Sequence, residues 1–98
     1  EAGKYPGALI KGTNSYGSYL YGDVNENGKV ELVDIVKLNR FLTGTDKELS
    51  AVATVNANCY REAKESDADT TTANLNGKDS VEILRYLIGL VTSLPTQG

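Results

Sequence analysis

Between residues 23 and 34 the chain reads DVNENGKVELVD, with oxygen-bearing side chains on alternate positions at Asp23, Asn25 and Asn27. Gly28 stands sixth in this stretch and the carboxylate of Asp34 twelfth. Alternate residues can aim their oxygens at one centre, a central glycine permits a sharp turn, and a terminal acid closes the cage. Lys29, at the seventh position, offers its backbone carbonyl, and Glu31, at the ninth, can act through a water. Such an all-oxygen set suits a hard cation such as Ca2+, whereas zinc would want cysteine or histidine. Asp, Asn and Gly also make ordinary polar turns. A full set of positions in register, with an apolar-periodic segment directly behind, argues for the cation loop.

Three helices are expected to position this chemistry. Ile35, Val36, Leu38, Phe41 and Leu42 give the segment Leu32 to Leu42 one broad apolar face, and Thr43-Gly44 supplies its stop. Thr45 to Glu48 has the T-x-x-E form of a capping box and predicts a short second helix running through Leu49 and Val52. A third helix is expected from about Ser80 to Ile88, stopped by Gly89, with Pro95 ending helical structure beyond it. Residues 1–20, rich in glycine, read as a linker or irregular wrap with a short strand at Ala8 to Lys11. Tyr19 and Tyr21 are expected to pack onto the domain.

The chain also repeats itself. Asp23-Val24-Asn25 is echoed by Thr54-Val55-Asn56, Asn27 by Asn58, and the stretch ending in Asp34 by one ending in Asp79. Val36, Leu38, Arg40, Phe41 and Leu42 align with Val81, Ile83, Arg85, Tyr86 and Leu87. Loop starts at 23 and 54 lie 31 residues apart, but loop ends at 34 and 79 lie 45 apart. The second loop therefore carries an insert, placed at 60–73. Charge makes the two loops unequal. The first offers three carboxylates, Asp23, Glu31 and Asp34; the template positions of the second offer Asp79 with neutral Thr54, Asn56, Asn58 and Asn76. Affinity follows ligand charge and rigidity, so a second, weaker or distorted site is expected, helped by Asp67 and Asp69 of the insert. The resulting plan is all-α: repeat one at 21–44, a linker helix at 45–53, repeat two at 54–90 and a tail at 91–98, the two repeats packed antiparallel.

Composition narrows the classes of function. Ninety-eight residues make one small domain, and with a single cysteine, Cys59, no internal disulfide can staple it. A net charge of -3 argues against a nucleic-acid partner, and no apolar run reaches the length of a membrane span. The absence of histidine leaves nucleophilic triads without their usual base, so no enzyme is expected.

Two loop-plus-helix segments without an incoming helix, Asp at the twelfth position, and the endings NRFL (39–42) and LRYL (84–87) resemble the dockerin modules of cellulosomes. The resemblance covers about Tyr21 to Leu90. Thr54 in place of an acid, Cys59 in place of a glycine, and the insert depart from the pattern in the manner of atypical dockerins of ruminal bacteria. The resemblance implies a small dockerin-like fold and a calcium-dependent binding module without catalysis. It would bind a cohesin of a scaffoldin, and so attach a plant-cell-wall-degrading enzyme or another scaffoldin to an extracellular or cell-surface bacterial complex. The chain would then be one module of a larger secreted protein.

By the same resemblance, partner contacts are expected at Leu32, Val33, Val36, Asn39 and Arg40 in the first repeat. Their counterparts in the second are Gly77 and Lys78, followed by Val81, Leu84 and Arg85. Apolar Leu32-Val33 set against Gly77-Lys78 implies one binding mode, dominated by the first helix. Two other readings compete. An EF-hand-like calcium sensor or buffer would normally show Glu at position twelve and a methionine-rich groove, and a carbohydrate-binding surface would rest on Tyr5, Tyr16 and Tyr19.

Overall fold

In the computed structural model, residues 15–16, 19–61 and 69–97 are described. The strand expected at Ala8 to Lys11, together with Tyr5 and Asp67, lies outside them. The molecule is small and predominantly helical, as expected of an all-α chain. Strands β1 (Ser15–Tyr16) and β2 (Tyr19–Leu20) pair antiparallel and lead into the first loop. Helices α1 (Leu32–Leu42) and α2 (Ala51–Ala57) follow, then strand β3 (Tyr60–Arg61), a 3-10 turn at Thr72–Asn74, helix α3 (Gly77–Leu87) and strand β4 (Thr96–Gln97). β4 runs parallel to β3, with Tyr60 opposite Thr96.

α1 occupies the span its periodicity predicts. Leu38 is fully buried, Ile35, Phe41 and Leu42 pack around it, and Leu32, Val33 and Val36 remain outside. Asp34 in the first turn and Arg40 in the last both complement the helix dipole. α3 begins three residues earlier than expected, because Asn76 caps it: the Asn76 side chain accepts from Lys78 N at 2.9 Å. α1 packs against α3. Ser80 Oγ donates to Asn39 Oδ1 over 2.6 Å, which sets the start of α3 beside the end of α1 as in an antiparallel pair. Leu38 and Ile83, equivalent in the two repeats, are both buried in the shared core with Tyr21, Val24, Val55 and Leu94. Tyr19 packs against that core, as expected.

The connecting helix is not where its sequence pattern predicts. Residues 45–50 form no helix; Asp46 N bonds Arg40 O, and its carboxylate takes the Arg40 guanidinium, so this segment wraps back onto α1. Ser50 supplies the cap instead, its hydroxyl accepting from Ala53 N at 3.0 Å while donating to Glu26 Oε2 at 2.6 Å. α2 therefore runs through Thr54 and Asn56, which the repeat pattern puts in a loop.

The tail is also more ordered into the fold than its sequence suggests. Leu94 is fully buried, Thr96 N bonds Cys59 O at 2.8 Å, and Thr96 Oγ1 donates to Glu82 Oε2 at 2.7 Å. Glu82, buried on α3, also receives Arg85 Nε at 3.0 Å. Leu94 comes so close to Gly22 that a β-carbon there would lie 3.0 Å from Leu94 Cδ1 and 2.8 Å from Val30 Cγ1.

Candidate metal centre

The first loop closes on two buried carboxylates. Asp23, 2 % exposed, accepts Asn27 N at 3.1 Å on one oxygen and Gly28 N at 2.8 Å on the other. Asn25 Oδ1 lies 3.3 Å from Asn27 N, and Asn27 Oδ1 takes Lys29 N at 3.0 Å. Each side chain thus folds the backbone just ahead of it into the turn. Gly28 has φ +88°, the left-handed conformation that its place in the pattern predicts. Glu26, at φ +62°, adopts the same region with a side chain, held by the Ser50 hydroxyl.

Asp34 projects back from the first turn of α1 and ties both ends of the loop together. Its Oδ1 takes Asn25 N at 3.0 Å and its Oδ2 takes Glu31 N at 2.6 Å. Burial raises the Asp34 carboxyl above its ordinary range and the nearby charge of Asp23 adds to this, while backbone hydrogen bonds from Asn25, Glu31 and Val24 pull the other way. Glu31 lies outside the pair: it is exposed, and its carboxylate receives Asn27 Nδ2 at 3.0 Å. The expected convergence of three carboxylates is therefore a convergence of two, and no group of three acidic side chains lies together among the described residues. Lys29 is exposed, with its position in the turn fixed by the Asn27 amide oxygen.

The donor set fits a divalent cation. Two buried like-charged carboxylates stand against each other, and no lysine or arginine pairs with either among the described residues. A bound ion would neutralise both, and Asp23, Asn25, Asn27 and Asp34 are the side chains that would hold it, with the Lys29 carbonyl and a water on Glu31 completing the pattern.

The second repeat reproduces the closing half of this arrangement. Asp79, fully buried, accepts Tyr60 N at 2.9 Å on Oδ1 and Asn76 N at 2.9 Å on Oδ2. Asp34 makes the same pair of bonds to Asn25 N and Glu31 N. Tyr60 is thus the counterpart of Asn25, and the register from the sequence echo is off by four. Thr54 and Asn56 do not face a loop centre. Thr54 Oγ1 donates to Ser50 O at 2.8 Å within α2. Asn56 Oδ1 accepts Leu20 N at 3.0 Å, and its Nδ2 donates to Asp23 O at 2.9 Å, so it braces the first loop from outside. Asn58 is buried beside Cys59 at the end of α2. Asn76 is spent as the α3 cap, and Asp69 accepts Thr71 N and Asn74 Nδ2, both at 2.9 Å.

Beside each cage lies an exposed face with a matching groove. On α1 the groove is lined by Asn25, Val33, Val36, Lys37, Arg40 and Asp46; on α3, by Tyr60, Gly77, Lys78, Val81, Glu82 and Arg85. Asn25, Val33, Val36, Lys37 and Arg40 have Tyr60, Lys78, Val81, Glu82 and Arg85 as their counterparts, while Asp46 and Gly77 each line one groove alone, and the α3 groove is larger, about 590 Å³ against 170 Å³. Leu32, Val33 and Val36 on one side and Val81 and Leu84 on the other are between 41 and 58 % exposed. Both arginines are held by a neighbouring acid, Arg40 by Asp46 through two bonds and Arg85 by Glu82. Asn39 is exposed, yet its amide oxygen is committed to Ser80. Ile88 and Leu90, which the repeat pattern does not single out, extend the exposed apolar surface past the end of α3.

A scan against protein-family models and a search of characterised proteins both return no match. No helix among the described residues is long and apolar enough to cross a membrane.

Proposed function

We propose that this chain is a calcium-dependent protein-interaction module of the dockerin kind, which docks on a cohesin of a scaffoldin and carries no catalytic activity. The observation that supports this best is the repeated cage. Asp34 and Asp79 each bind the amide three residues before them and an amide at the loop start, and each thereby anchors a helix whose outer face is apolar. Calcium would then serve as a staple: closing the loop fixes where α1 begins and which way Leu32, Val33 and Val36 point. Through the partner, the module would attach a plant-cell-wall-degrading enzyme or another scaffoldin to an extracellular bacterial complex.

The two grooves differ in size and lining, which supports one binding mode; the exposed Leu32 and Val33, set against Gly77 and Lys78, favour α1 as the dominant face, with the larger α3 groove assisting. A second reading, an EF-hand-like calcium sensor, draws support from α2, which leads straight into the second loop as an incoming helix would. Titration against a panel of cohesins, with calcium and then with a chelator, separates the two. A dockerin binds at least one cohesin only when calcium is present; calcium binding without affinity for any cohesin favours the sensor.

A further inference from the structure

Repeat two contains an unpaired polar atom where repeat one has its first ligand. Asp79 shares its amide pattern with Asp34, so Tyr60 stands for Asn25, Cys59 for Val24 and Asn58 for Asp23. Burial agrees: Val24 and Cys59 are both fully buried, and Asp23 and Asn58 are each 2 % exposed. Their hydrogen bonding differs. Both Asp23 oxygens receive loop amides, whereas Asn58 Oδ1 is buried without any hydrogen-bond partner. Leaving a buried amide oxygen unsatisfied is costly, and a cation is a partner that would satisfy it.

We infer that Asn58, and not Thr54, is the opening ligand of a second cation site closed by Asp79, and that its neutral amide makes this the weaker of two unequal sites. The inference rests on the calcium reading of the first loop and adds to it which residue sets the inequality. Thr54 and Asn56 are excluded because their side chains are already committed elsewhere. Asn and Asp are nearly the same shape, so the difference between the sites at this position reduces to one charge, and affinity in such loops follows ligand charge.

The test is calorimetric titration of the metal-stripped full chain with calcium chloride, for wild type, Asn58→Asp and Asn58→Ala, with far-UV circular dichroism on each. Wild type should show a tight and a weak event. The weak event should tighten by about tenfold or more in Asn58→Asp and vanish in Asn58→Ala, with the tight event kept in both. A weak event unchanged in either variant, or a single event in all three proteins, overturns the assignment while leaving the first site standing. Should Asn58→Ala fail to fold, the isosteric Asn58→Asp decides alone. Absence of any event in wild type removes the calcium reading and this assignment together.

Discussion

The Thr96 hydroxyl donates to the Glu82 carboxylate across 2.7 Å, joining the tail to the middle of α3. Two residues earlier, Leu94 fills the space over Gly22, so the tail secures both repeats at once. Leu94→Ala is expected to cost about 2–5 kcal/mol of stability, as other buried leucine truncations do. Thr96→Val should cost about 1 kcal/mol, because Glu82 keeps Arg85 as a partner. Urea unfolding of the two variants checks the order.

Two glycines with positive φ make a controlled comparison. A methyl group added at Gly28 would meet nothing within 4 Å, so Gly28→Ala should lose only the cost of the left-handed conformation, about 1–2 kcal/mol. Gly22 adds contacts at 2.8 Å with Val30 and 3.0 Å with Leu94. Gly22→Ala should therefore be the more destabilising of the two in the same denaturation experiment, and the reverse order would refute the packing described around Leu94.

Hydrogen bonds from Arg40 hold the Asp46 carboxyl below its ordinary range. A lowered folded-state value means that the pair contributes above the unfolded pKa and that this contribution fades as pH falls through the lowered one. Replacing Arg40 with Gln should move the Asp46 titration upward, toward the usual 3.8. Carboxyl-carbon NMR titration of both proteins reads this directly. The pair is solvent-exposed, so its effect on stability is expected to be small.

Cys59 is fully buried, and burial, with the Asp79 charge adding to it, pushes its thiol well above the usual range. The folded protein should react very slowly with an aromatic disulfide reagent at neutral pH, since the attacking species is the thiolate. Chelation should accelerate that reaction if calcium holds the loops closed. Calcium at about a thousand times its dissociation constant adds roughly 4 kcal/mol to folding stability, enough to slow a reaction that proceeds through the open state by about a thousandfold. Equal rates with and without chelator would contradict the staple role.

Substitution of both Leu32 and Val33 by Asp should weaken cohesin binding by about two orders of magnitude or more, since it places charge at an apolar contact. Asp at Gly77 and Lys78 should matter less if one face dominates. Surface plasmon resonance against a cohesin that binds the wild type distinguishes the cases, and equal losses would point to a module that uses both faces.

α1 is fully legible in the sequence because three signals agree over one span: the loop pattern, the apolar period and Gly44. α2 is not, because Thr45 and Ser50 both offer a capping hydroxyl, and the choice of the latter rests on tertiary contacts, Asp46 with Arg40 and Ser50 with Glu26, 24 residues apart. The second register fails for a related reason. Thr54-Val55-Asn56 shares two letters with Asp23-Val24-Asn25, whereas the true counterpart, Asn58-Cys59-Tyr60, shares none. What the two share is backbone: an amide offered to a buried aspartate, and backbone amides carry no letter. Leu94 and Thr96 are unreadable because a single leucine before a proline has no period to reveal its burial.

Asn56 has a consequence for how such a duplicated chain can be taken apart. Its side chain holds Leu20 N and Asp23 O, and its own carbonyl takes Gly22 N at 2.6 Å, so the opening of the first loop is completed by residues of the segment that follows α1. A cut in the stretch at 44–49 would yield two fragments that each lack part of the other's framework. Neither fragment should fold by itself, but mixed together they should reassemble. Although the sequence reads as a tandem, its cooperative unit is the whole pair.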